Sequence, residues 1–94
     1  MKKLSIITPC YNEEVNVEIC AQELKKVMQE KLSGYDYEHI FADNASTDST
    51  LVKLRELAAK DDHIKVISNS RNVGPFRNMW NAMKSATGDA VVPL

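Results

Sequence analysis

Short apolar runs rich in β-branched residues alternate along this chain with longer stretches whose apolar positions recur at helical spacing. Leu4 to Thr8 reads as a first strand. Val15, Ile19, Cys20, Leu24, Val27 and Met28 then mark a helical face, opened by Asn12 as cap with Glu13 and Glu14 in an acidic first turn. The helix should stop near Ser33-Gly34, and Tyr37 to Ala42 gives a second strand. Asp43 to Thr50 is a polar loop, after which Leu51, Leu54, Leu57 and Ala58 trace a second helix ending near Lys60. Ile64 to Ile67 is a third strand. Gly74-Pro75 makes a good Ncap and N1 pair for a third helix, with Phe76, Met79, Trp80, Met83 and Ala86 on its core face and Gly88 as its stop. Ala90 to Leu94 begins a fourth strand.

Strands that read as unbroken apolar runs and alternate with helices call for a parallel sheet covered on both faces. The order β-α-β-α-β-α-β therefore predicts an α/β fold, a Rossmann-like three-layer half-sheet of mostly parallel strands. Ninety-four residues hold one domain and leave no room for a second. Because the chain stops within its fourth strand, residues 1–94 read as the first part of a larger domain.

Charge and cysteine content remove several classes of function. Twelve Lys and Arg against thirteen Asp and Glu give a net charge of −1, so the broad attraction that holds non-specific nucleic-acid binders is missing. Cys10 and Cys20 stand ten positions apart with no C-x-x-C pair and no clustered histidines, which excludes a disulfide scaffold and a structural zinc site. The apolar stretch at the N-terminus breaks at Ser5 and stops at Pro9, too short for a signal peptide or a membrane span.

Open α/β sheets bind ligands outside the carboxyl ends of their strands, so Thr8–Glu14, Asp43–Thr50 and Arg71–Gly74 are the segments where chemistry belongs. The first lacks a phosphate cradle: Pro9 has no N–H, no glycine occurs before Gly34, and Glu13 and Glu14 take the place an anion would fill. What it offers instead is a base or ribose site, with Tyr11 as stacking face and Glu13 as acceptor; Tyr11 reads equally as an ordinary rim residue. In the second segment Ser46, Thr47 and Asp48 read as caps of the second helix, whereas Asp43, which precedes the cap, reads as an acceptor for a base imide or a ribose hydroxyl. Its spacing does not fit a calcium loop, since the sixth and twelfth positions are Asp48 and Leu54. Arg71 and Asn72 beside an unacidic helix start make the third segment the better anion site. His39 reads as core filler and His63 as a surface residue.

Taken together, Ile6-Ile7-Thr8-Pro9-Cys10-Tyr11-Asn12-Glu13, Phe41-Ala42-Asp43-Asn44-Ala45-Ser46-Thr47-Asp48, Asn72-Val73-Gly74 and Thr87-Gly88-Asp89 resemble the opening of a family 2 glycosyltransferase of the GT-A fold. The resemblance covers essentially the whole chain and comes closest to bacterial enzymes that move a sugar onto a polyprenyl phosphate or a cell-envelope glycan. It implies that residues 1–94 are the N-terminal donor-nucleotide-binding part of an inverting transferase that takes a UDP- or GDP-sugar. Pro9 and Tyr11 would line the base pocket, Glu13 would lie beneath the nucleoside, Asp43 would contact base or ribose, Arg71 and Gly74 would approach the sugar diphosphate, and Thr8 and Asn44 would belong to the same nucleotide-binding set. Many members carry aspartate at the position of Asn44, so uracil and guanine both stay open. The Gly74-Pro75-Phe76-Arg77 stretch also departs from the usual family pattern.

The same resemblance implies a divalent metal, Mg or Mn, held by a D-x-D-like motif beyond Leu94, and a catalytic base further on. No catalytic residue and no metal ligand is then expected within 1–94, and this piece alone should be inactive. A cytoplasmic location, with the whole protein on the inner face of the membrane, goes with that reading. The rival is a non-enzymatic flavodoxin-like α/β regulatory or interaction module. An uncovered sheet edge should favour self-association.

Overall fold

In a computed structural model, which describes Met1–Leu94, the strands are β1 (Lys3–Cys10), β2 (Asp36–Asp43), β3 (Ile64–Ser68) and β4 (Ala90–Pro93). The helices between them are α1 (Val17–Lys31), α2 (Thr50–Lys60) and α3 (Pro75–Lys84). The four strands form one parallel sheet in the order β3-β2-β1-β4. Helices α1 and α2 cover one face, where Val17, Ala21 and Leu54 pack on Cys10, Phe41 and Ile64. Helix α3 covers the other, where Ala82 meets Ile7, Ile40 and Ala42. Alternation along β2 explains the two cores, because Phe41 points to one face while Ile40 and Ala42 point to the other. Each fully buried Ile or Phe contributes about 1.5–3 kcal/mol.

Three details depart from the periodicity. Helix α1 begins at Val17, after Asn16, and not at Asn12. Asn12 lies in the left-handed region at φ 52°, and the following turn is closed by Asn16 and Val17 N–H groups donating to the Glu13 carbonyl. The backbone of this turn is drawn toward α2 by Glu13 N–H donating to Thr50 Oγ1 and by Lys53 Nζ donating to the Glu14 carbonyl. The apolar face of α1 is also narrower than its sequence implies: Val17, Ala21 and Met28 are buried, while Val15, Ile19 and Val27 are exposed.

The second departure concerns α3, whose buried residues are Asn78 and Ala82. Phe76 is 91% exposed, Trp80 58% and Met83 44%, so the aromatic part of the stripe faces away from the core, and of its members only Met79 and Ala86 pack partly against it. Asn78 takes the inward position, where its Nδ2 donates to the Ala42 carbonyl at 3.0 Å. Third, α3 ends at Lys84 with Ser85 as cap, so Gly88 does not stop it. Gly88 serves the turn into β4, where an added Cβ would lie 2.6 Å from Ser5 Oγ and 2.8 Å from Ser5 N.

That turn is clamped by a carboxylate that periodicity does not reveal. Glu38 is 1% exposed and accepts from Ser5 Oγ at 2.5 Å, from Lys65 Nζ, and from Thr87 N–H at 2.6 Å. Burial pushes its pKa up, but the hydrogen bonds from Lys65, Ser5 and Thr87 outweigh it and bring the group down to about 2. His39, beside it on β2, is 1% exposed, lies 2.8 Å from Thr8 Oγ1 through Nε2, and is held down to about 4 by burial.

Both shifts destabilise the fold in acid. The unfolded chain takes up a proton on histidine from pH 6.5 downward, whereas folded His39 resists until about 4, so stability present above 6.5 is lost across that window. The loss on this group is about 3 kcal/mol. Glu38 adds a second loss between 4.5 and about 2. Urea melts between neutral pH and about pH 4 should show the first loss, and a His39→Gln protein should show a flattened slope.

Candidate functional site

The pairing of β1 with β2 runs in register to Cys10 opposite Asp43, and Asp43 in turn pairs with Ser68 at the end of β3. Three strands therefore finish flush, and the loops that follow them emerge side by side. Side chains lace these loops together. Asn12 N–H donates to Ser46 Oγ at 2.9 Å, Asn12 Nδ2 donates to Thr47 Oγ1 at 3.2 Å, and Thr47 N–H donates to Asn12 Oδ1 at 2.9 Å. Ser46 and Thr47 thus tie the first loop to the second and do not cap α2. Asp48 is the helix-end acceptor, taking Thr50 N–H at 2.9 Å.

A net of amides joins the second loop to the third. Asn44 Oδ1 accepts from Val73 N–H at 3.0 Å and Asn69 Nδ2 at 3.1 Å, while Asn44 Nδ2 donates to Asn72 Oδ1 at 3.1 Å. Asn72 Oδ1 also accepts from Gly74 N–H at 2.9 Å, at the φ +83° residue that caps α3. Asn69 Nδ2 reaches Asn78 Oδ1 at 2.9 Å, linking the net to the buried face of α3. No buried side-chain nitrogen or oxygen lacks a partner.

A cleft of about 290 Å³ opens over this frame, with Pro9, Tyr11 and Glu13 on one side, Asn44 and Asn72 at its base, and Pro75 and Asn78 on the other. It lies at the carboxyl edge of the sheet, at the ends of β1 and β2 and the start of α3, on the side where open sheets carry their ligands. Tyr11 is 47% exposed, so its ring is available to a ligand. Another cavity of equal volume, over the stacked Tyr37 and His63 rings, lies at the amino edge, away from that crevice.

Of the residues singled out in the sequence, Pro9, Tyr11, Glu13 and Asn44 meet in the cleft. Thr8 lies in an adjoining cavity of about 220 Å³ with Cys20 and Phe41. Asp43 is 1% exposed and both its oxygens are occupied by Ser46, Oγ at 2.5 Å and N–H at 3.2 Å, so here it holds the loop and does not line the cleft. Arg71 lines a neighbouring cavity of about 260 Å³ with Arg77, joined to the cleft through Asn72. Asn72, expected beside Arg71 at an anion site, lines this cleft instead, and Cys10, Pro75 and Asn78 complete it without a sequence expectation of ligand contact. Asn72 stood in the Asn-Val-Gly motif, and Asn78, a polar residue amid apolar positions of a helix, was the available signal.

The cleft carries no activated nucleophile. Burial, then the charges of Asp43, Cys20 and Glu13, push the Cys10 thiol up to about 12, and burial raises Cys20 as well. No three His, Cys, Asp or Glu side chains converge to hold a metal ion. What the cleft offers is a ring, a carboxylate and a row of amides, suited to orienting a polar, planar ligand.

The fold is a Rossmann-like α/β sheet of the GT-A type, carrying its cleft at the carboxyl edge. The chain belongs to glycosyl transferase family 2, whose family model matches residues 5–94. This membership replaces the flavodoxin-like alternative. The chain is 39% identical over 91 residues to the putative glycosyltransferase CsbB of Bacillus subtilis, covering 97% of this chain and 27% of CsbB. It is 36% identical over 92 residues to the dolichol-phosphate mannosyltransferase of Pyrococcus furiosus, covering 98% and 25%. The mannosyltransferase PcManGT of Pyrobaculum calidifontis, solved with GDP-Man and Mn2+, superposes with a TM-score of 0.81 at 23% identity, over 96% of this chain and 26% of that one. The chain thus spans about a quarter of the length of these relatives.

The amide net makes a stability prediction. An Asn44→Ala protein strips Val73 N–H and Asn69 Nδ2 of their acceptor and should lose about 1–3 kcal/mol. Urea denaturation measures the loss, and hydrogen exchange should quicken at Val73 and Gly74 first.

Proposed function

We propose that residues 1–94 are the donor-nucleotide-binding part of an inverting glycosyltransferase. The observation that carries this is the convergence of Tyr11, Glu13 and Asn44 on one carboxyl-edge cleft in a family 2 chain. In this reading the base lies against Pro9 and Tyr11, the ribose hydroxyls donate to Glu13, and the amides of Asn44 and Asn72 face the base edge. Asp43 contributes through the loop it holds, and meets the ligand directly only by exchanging Ser46 for it. Thr8 supports the floor behind Pro9. Arg71, beyond Gly74, approaches the diphosphate and stabilises its charge as the nucleotide leaves.

The charged end of the donor needs more than this chain supplies. PcManGT was solved with Mn2+ and the nucleotide sugar GDP-Man. In our reading a divalent ion meets the diphosphate in the whole protein, with its ligands expected beyond Leu94; within 1–94 no three His, Cys, Asp or Glu side chains come together. The acceptor in our reading is a polyprenyl phosphate, in keeping with a dolichol-phosphate mannosyltransferase among the relatives. Such an acceptor places the whole protein at the inner face of a membrane. No helix here is long and apolar enough to cross one.

Nucleotide binding by the chain itself should be weak, with Kd on the order of 1 mM or above. Titration with UDP and with GDP, without metal, should shift the amide resonances of Tyr11, Asn44 and Asn72. Tyr11→Ala should abolish those shifts while leaving the fold intact. Shifts that survive in Tyr11→Ala, or absent from the parent chain at saturating nucleotide, would overturn the reading.

The exposed edge of β4 extends the proposal to self-association, since Ala90–Pro93 all lie at the surface. Light scattering at high concentration should show dimers, and a monomer throughout would rule the edge out as an interface.

A further inference from the structure

The outward face of α3 is the feature that neither the fold nor the cleft uses. Around this helix the exposed positions run Met83, Phe76, Trp80, Lys84, Arg77, a ridge of two rings and a thioether with two cations along one flank. Lys84 Nζ lies 6.0 Å from the Trp80 ring centre. Between Asp62 and Asp89 the chain carries Lys65, Arg71, Arg77 and Lys84 and no acidic residue, although its net charge is −1. Lys65 is spent on Glu38, whereas Arg71, Arg77 and Lys84 make no ion pair. Basic charge and exposed aromatic surface are thus concentrated on one element.

We propose that this face of α3 is a contact surface for an anionic lipid bilayer. An amphipathic helix with Phe and Trp on its apolar ridge and Lys or Arg beside it sinks the rings into the headgroup boundary while the cations meet lipid phosphates. The geometry opposes the simplest alternative, a second copy packed ridge to ridge. Arg77 and Lys84 of both copies would then be brought together unpaired, over a helix about 15 Å long, well short of a standard stable interface. The bilayer, in contrast, supplies the negative charge that the ridge lacks. Pro75 and Asn78 of the same helix line the cleft, so docking in this way sets the cleft mouth beside the membrane surface. The inference stands independently of which nucleotide the cleft takes.

Trp80 is the chain's single tryptophan, which makes its fluorescence a site-specific probe. Vesicles of phosphatidylcholine with about one third phosphatidylglycerol should shift Trp80 emission to the blue and carry the chain down on sedimentation. Pure phosphatidylcholine should do so far less, and added salt should reverse the effect. Replacing both cations, Arg77→Gln with Lys84→Gln, should weaken binding about thirtyfold with unchanged circular dichroism. Phe76→Ser, which keeps the probe, should weaken it too. The proposal fails if anionic vesicles leave the emission unchanged, or if neutral vesicles act equally. It fails also if the emission shifts with protein concentration in the absence of lipid, which would assign the face to a second copy.

Discussion

The parallel pairing of β1 with β2 is the constraint from which the site follows. Its register fixes Cys10 opposite Asp43, so two loops leave the sheet at the same height and close enough to exchange hydrogen bonds. Parallel strands need crossovers, and here α1 and α2 cover one face while α3 crosses to the other. That split leaves a crevice between the end of β1 and the start of α3. A slip of one residue in β2 would turn Phe41 toward α3 and carry Asp43 away from Cys10, so core packing and site geometry are specified by the same pairing.

The two ends of the sheet solve polar burial by different means. At the amino end one buried carboxylate, Glu38, collects Ser5, Lys65 and Thr87 and fixes the turn into β4. At the carboxyl end amides do much of the joining: Asn12 ties the first loop to the second, and Asn44, Asn69, Asn72 and Asn78 tie the second to the third and to α3, while the buried Asp43 carboxylate holds the second loop through Ser46. Amides hold the frame and still present both donors and acceptors. The single carboxylate at the mouth, Glu13, can then set the local charge.

The succession of strands and helices was legible because burial on two faces leaves unbroken apolar runs, and because Gly74-Pro75 marks a helix start unambiguously. That Pro9, Tyr11, Glu13 and Asn44 share one cleft was legible as well, since they lie at or just after strand ends, where ligands of such sheets bind. Periodicity failed on α3 because it identifies an apolar face without saying which way that face points. Asn78 takes the inward position, with one hydrogen bond to the backbone, and the rings are turned out. It failed at the start of α1 because bonds to the loop before α2, among residues more than thirty positions apart, hold Asn12 to Glu14 outside the helix. Asp43 illustrates a further limit: a carboxylate at a strand end looks alike whether it meets a ligand or, as here, the loop's own Ser46.

Helix α3 joins these threads. Its amino end closes the cleft through Pro75 and Asn78, its inner face completes the core through Ala82, and its outer face carries the aromatic and basic ridge. An ordinary core helix would spend its largest side chains inward, and this one spends an asparagine and an alanine there. Small inward residues let the helix approach the sheet closely, and the close approach is what lets Asn78 reach the Ala42 carbonyl. Exposed rings are the consequence of that arrangement. Their flank of unpaired cations, with no acidic residue for a turn on either side, distinguishes the ridge from incidental surface apolarity. A ligand in the cleft and a surface against the ridge would therefore bear on one element.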